Sequence, residues 1–262
     1  MVTFSVPGAG PEPRLVIPSP AGMARMSGLR PRRVPPVLGP DKHPDAEYWL
    51  DTCVGLSFVH VGRLDLLRAH YGPALVVVQD VHSEADLLAH RNVTPLARGA
   101  SDEERASRQK RLRVRDAARA LCAPAGLRTL GAAVELPLSQ AEQVRKYRND
   151  LAALPEAEPA PAQNDAWSHL GEAAIVCAFE LRRAATGPAA TPGAMLSNDG
   201  KARLLGKQHG MAGRTVVDVL REMARDQLNA MTAASAWDLY SLMTQVSDVP
   251  LRDRPRGPQN FG

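Results

Sequence analysis

Residues 47–91 read EYWLDTCVGLSFVHVGRLDLLRAHYGPALVVVQDVHSEADLLAHR. The run EYWLDTCV is short, aromatic and apolar, as a buried strand requires. From Val54 to Tyr71 the apolar residues Leu56, Val59, Leu64 and Leu67 recur at roughly helical spacing, interrupted at Gly62. Gly72-Pro73 breaks the chain, and ALVVV (74–78) is a continuous β-branched run of the kind buried on both faces of a parallel sheet. A further helix follows over about 81–91. Strand and helix alternate, which implies an α/β layer built on a parallel sheet.

The same alternation resumes further along. A helix is expected over about 170–186, a strand at AMLS (194–197) and a helix in GKARLLGKQHG, ending at Gly210. AGRTVV is a last short strand, followed by helices over about 217–232 and 235–246. Residues 92–165 look inserted. There, SDEERASRQKRLRVRDAARAL (101–121) opens with Ser101 and Glu104 in capping-box spacing. It carries seven Arg and Lys between Arg105 and Arg119, so it should be a strongly basic helix. A second helix is expected at 138–154, then a Pro/Ala linker, PEAEPAPAQ (155–163). Residues 1–44 hold ten prolines and no apolar period, which reads as a disordered basic arm. The polar tail 251–262 reads the same way. The α/β domain is therefore expected over 45–91 and 166–250.

Composition bounds the function classes. The 262 residues are 44% hydrophobic and 23% charged, as in a globular protein, with no apolar run long enough to span a membrane. MVTFSVPGAGPEPRLVIPSP lacks the basic and apolar regions of a secretory signal, and Cys53, Cys122 and Cys177 form no C-x-x-C pair. A reducing cytoplasm is the expected compartment. The net charge of +4 and pI of about 9.2 suit a phosphate-rich partner. Arginine outnumbers lysine 27 to 5, which fits bidentate phosphate contacts but fits a GC-rich coding sequence better. Seven scattered histidines show no metal-ligand spacing, and no phosphate-binding glycine loop occurs.

The acids are the informative residues. Asp51 ends the first strand, Glu84 falls after the second in the first turn of the next helix, and Asp199 follows the third. Glu172 opens a helix and shares its core-facing stripe with Ile175, Val176 and Phe179. Helix capping or dipole stabilisation would explain any one of them. In an open parallel sheet, however, groups beyond the strand carboxyl ends gather at one edge, where ligands bind. Four converging acids repel one another, and a hard cation such as Mg²⁺ or Mn²⁺ relieves that repulsion. Such a site activates water against a phosphodiester.

These pieces carry a resemblance. The stretch LDTCVGLSFVHVGRLDLLRAHYGPALVVVQDVHSE is similar to the opening of PIN-domain nucleases, particularly VapC-like toxins, with an Asp-Thr pair, a "gRLdLL" stretch, a strand and a following acid. GEAAIVCAFEL, MLSNDGKAR and AGRTVVDVL resemble the family's later segments, in order. The resemblance covers about 48–91 and 170–225. It implies a PIN-like three-layer α/β fold with a central parallel sheet, plus the helical insertion and the basic arm. It implies Asp51, Glu84, Glu172 and Asp199 as catalytic metal ligands for Mg²⁺ or Mn²⁺, and Thr52 and Ser197 as orienting hydroxyls. Asn198 stands where some relatives carry another acid. The implied activity is endoribonucleolytic, on RNA with DNA left open, and both an antitoxin protein partner and a homodimer are allowed. Arg105, Arg108, Lys110, Arg111, Arg113 and Arg115 are the residues expected to meet the nucleic-acid backbone. The alternative is a non-enzymatic nucleic-acid-binding or regulatory protein on a degenerate version of the fold, which the amide at Asn198 favours.

Overall fold

The computed structural model describes residues 42–154, 169–187, 191–247 and 254–262. Most of the arm assigned to 1–44 and the linker 155–163 lie outside them. Five strands form one all-parallel sheet, ordered β3-β2-β1-β4-β5: β1 (Glu47–Leu50), β2 (Leu75–Val78), β3 (Ala132–Val134), β4 (Gly193–Leu196) and β5 (Met211–Arg214). β2 and β4 are buried throughout, which explains their unbroken apolar character. Helices flank the sheet, an arrangement compatible with three layers. No helix among the described residues is long and apolar enough to cross a membrane.

The opening segment is strand, helix, helix, strand, helix: β1, α1 (Thr52–His60), α2 (Leu64–Tyr71), β2 and α3 (Gln79–His90). The first strand stops at Leu50 rather than running through DTCV, because Asp51 is already the N-cap of α1. Order reaches back into the segment assigned to the arm, at Lys42 and His43. The His43 amide donates to the Tyr48 hydroxyl at 2.7 Å, and the Lys42 ammonium donates to the His70 carbonyl.

Within the expected insertion, the described residues 92–154 are not purely helical. They contain α4 (Asp102–Cys122) and α5 (Ala141–Ala153), but between these β3 pairs with β2 and becomes the edge of the sheet. α4 packs along α3, and α5 packs against α6 (Leu170–Thr186), so the segment belongs to the same layers. Gly131 permits the pairing: a Cβ there would stand 2.1 Å from the Leu75 carbonyl oxygen. The capping box at Ser101 forms as expected, with both reciprocal hydrogen bonds present.

After β4 come α7 (Gly200–Gln208), β5, α8 (Val216–Arg225) and α9 (Ala233–Met243). The helix expected to run to 232 ends at Arg225, beyond which Gln227 and Asn229 take left-handed backbone. The chain end also differs from expectation. Residues 254–262 pack back, with Phe261 fully buried against Trp237 and Tyr240 and the Asn260 carbonyl accepting from Arg221 Nε at 2.6 Å.

Candidate metal centre

The strand order reverses between β1 and β4, so the helices leaving these neighbouring strands diverge and open a crevice at their carboxyl ends. Asp51 follows β1 there, and Ser197, Asn198 and Asp199 follow β4. Glu84 reaches the crevice from the second turn of α3 rather than the first, since that helix begins at Gln79. Glu172 comes from the third residue of α6. All four acids line one cleft of about 760 Å³.

Within the cleft, Asp51, Glu84 and Glu172 each present an oxygen within 4.8 Å of the others. Asp51 and Glu172 are buried and Glu84 is half-buried. Although Asp51 is the N-cap of α1, its carboxylate makes no capping bond. Its Oδ2 instead accepts from Ser197 Oγ at 2.7 Å and Cys53 Sγ at 2.9 Å. Thr52 Oγ1 donates to Glu84 Oε2 at 2.8 Å. The two hydroxyls singled out in the sequence therefore each hold one of the acids. α6 can approach this closely because residue 171 is glycine: a Cβ there would lie 2.7 Å from Glu84 Oε2.

Burial pushes all three carboxyls above the ordinary carboxylate range, Glu84 and Glu172 well above it. Mutual repulsion adds to this, from Glu172 and Asp51 on Glu84, and from Asp51 and Asp199 on Glu172. Glu172 Oε2 is buried with no hydrogen-bond partner. An unpaired buried carboxylate oxygen is costly, and a bound cation removes that cost. Three carboxylates with this spacing suit a hard divalent ion, and the orphaned oxygen supplies a free ligand atom.

Asp199 stands beside this trio rather than inside it. Its Oδ1 caps α7, accepting from the Lys201 amide at 2.7 Å, while its Oδ2 lies 3.5 Å from His169 Nδ1. His169 also stands 3.8 Å from Glu172 Oε1. Sequence reasoning missed His169, a lone histidine beside a polar linker. Asn198 serves the fold: its Oδ1 accepts from the Val216 amide at 3.0 Å at the start of α8, although its Nδ2 is buried without a partner.

The same cleft is also lined by cations. Lys110, Arg111 and Arg115 on α4, with Arg91 after α3, line the same cleft as the acids. Arg91 was not among the expected nucleic-acid residues. The other three cations do not line it. Arg105 pairs with Asp102 at 2.8 Å, Arg108 donates to the Thr94 carbonyl at 3.2 Å, and Arg113 lies on another face with a buried Nε. The helical repeat turns Arg113 away from Arg111 and Arg115, whereas Arg108 shares their face of α4 but sits nearer its start, where it is engaged by the Thr94 carbonyl. The chain matches no protein-family model, no curated protein and no solved structure.

Proposed function

We propose that the chain is a metal-dependent endoribonuclease of the PIN-domain type. The observation that carries this reading is the cleft itself: three clustered carboxylates, one with an orphaned buried oxygen, share it with four cations. The acids alone would suit cation storage, and the cations alone would suit passive nucleic-acid binding. Together they fit a polyanion whose backbone must be brought against a cation.

Asp51, Glu84 and Glu172 would hold Mg²⁺ or Mn²⁺, with Asp199 at the margin. When bound, the ion lowers the pKa of a water and offsets charge developing on the phosphodiester. The remaining work falls to the chain. Ser197 and Cys53 keep the Asp51 carboxylate turned into the cleft, and Thr52 does the same for Glu84. Arg91, Lys110, Arg111 and Arg115 would neutralise flanking phosphates, giving affinity that falls steeply with salt.

Cleavage of a mixed single-stranded RNA pool in Mn²⁺ tests the proposal. Wild-type cleavage should be abolished in Asp51→Asn while the metal-free melting temperature is retained. Charge reversal of Arg111 and Arg115 should weaken RNA binding without weakening Mn²⁺ binding. A wild-type protein that binds Mn²⁺ and RNA yet cleaves none of the pool would favour the non-enzymatic reading.

A further inference from the structure

We infer that His169, Glu172 and Asp199 form a second cation position in this cleft, one with an imidazole ligand, which takes Mn²⁺ in preference to Mg²⁺. This rests on the carboxylate reading above, because Glu172 belongs to both groups.

The distances are those of co-ligands rather than of hydrogen-bonded partners. His169 Nδ1 lies 3.5 Å from Asp199 Oδ2 and 3.8 Å from Glu172 Oε1. Both are at or beyond the limit of a useful N–H···O bond. Two ligands each about 2.1 Å from one ion stand roughly 3.0–4.2 Å apart, depending on the angle between them. The atoms of the trio all fall within 4.8 Å of one another, so little movement would close them on an ion.

Each ligand is also held for the purpose. Asp199 commits Oδ1 to the first turn of α7, which fixes where Oδ2 points. The Glu172 side chain is about nine-tenths buried and keeps Oε2 unpartnered while Oε1 faces His169, so its two oxygens can serve two neighbouring ions. His169 itself has left-handed backbone at φ 63°, an uncommon conformation for a residue with a side chain. Strain of this kind collects where a side chain must be aimed. Across both positions the four carboxylates, with a neutral imidazole, balance the charge of two divalent ions. The nitrogen ligand sets the preference, because imidazole suits transition ions while Mg²⁺ selects oxygen.

Electron spin-echo spectroscopy of Mn²⁺ bound to the EDTA-treated full chain reads the ligand directly. Wild type should show ¹⁴N modulation from a coordinated imidazole, and a tenfold excess of Mg²⁺ should leave it in place. His169→Asn keeps a residue that tolerates left-handed backbone and caps a helix. It should keep the metal-free melting temperature, lose the modulation, and bind the second equivalent of Mn²⁺ at least about tenfold more weakly. Bound Mn²⁺ without ¹⁴N modulation, or modulation that survives His169→Asn, overturns this inference and leaves the three-carboxylate position standing. A wild-type chain that binds no Mn²⁺ removes both.

Discussion

Among the described residues two glutamates are buried, Glu172 and Glu222, and they are treated in opposite ways. Glu222 on α8 accepts from Arg214 Nε at 2.8 Å and Tyr71 Oη at 2.7 Å, with His70 Nε2 a further 3.5 Å away. Both carboxylate oxygens are occupied, and a buried arginine cancels the charge. Glu172 on α6 is nearly as deep, but its company is Asp51, Glu84 and Asp199, and one of its oxygens has nothing to bond. The first arrangement is complete within the chain. The second leaves like charges together and one oxygen unpartnered, and on the reading proposed above a cation from outside would complete it. Burial of a carboxylate therefore carries no functional message alone; the sign of its neighbours does.

The largest expected effect comes from breaking the complete arrangement. Glu222→Ala removes the buried carboxylate to which Arg214 Nε and Tyr71 Oη donate, a loss of about 3–5 kcal/mol, readable by urea unfolding and indifferent to EDTA or Mn²⁺. Removing charge from the incomplete arrangement should act in the other direction. Glu172→Gln relieves repulsion in the metal-free protein and should raise its melting temperature by about 2–4 °C, equivalent to roughly 1 kcal/mol at this size. The same variant should lose the stabilisation that Mn²⁺ confers on wild type.

A smaller effect lies in the pH dependence. The Glu172 carboxyl is raised on folding, so the folded chain holds its proton to higher pH than the unfolded chain. Stability from this group is fully present below the unfolded value near 4.5 and is lost as pH rises toward the folded one. In EDTA, the melting-temperature gap between Glu172→Gln and wild type should therefore widen from pH 5 to pH 7.5. A gap that narrows would contradict the repulsion described here.

Much of this was readable from the residues. The apolar runs at 47–50, 75–78 and 193–196 are central strands buried on both faces, and such strands leave plain signatures. β3 left none, because an edge strand of three residues, AAV, has neither length nor β-branched content. Gly131 was the available hint, a glycine where two backbones meet. The acids were legible because strand ends in a parallel sheet share an edge, a topological fact that needs no side-chain geometry. His169 and Arg91 were not, since their roles depend on which way a helix start and a loop turn. Phe261 was hidden by its surroundings: a single aromatic in a polar, Pro-rich tail shows no period, yet it fills a place beside Trp237 and Tyr240.

The central claim is that Asp51, Glu84 and Glu172 are incomplete without a cation. Calorimetric titration of Mn²⁺ into the EDTA-treated chain at pH 7.5 tests it most directly. We expect saturable binding with a Kd below about 1 mM, equivalent to at least about 4 kcal/mol, and its loss in Glu172→Gln. An absence of binding at millimolar Mn²⁺ in a folded wild-type protein would contradict it.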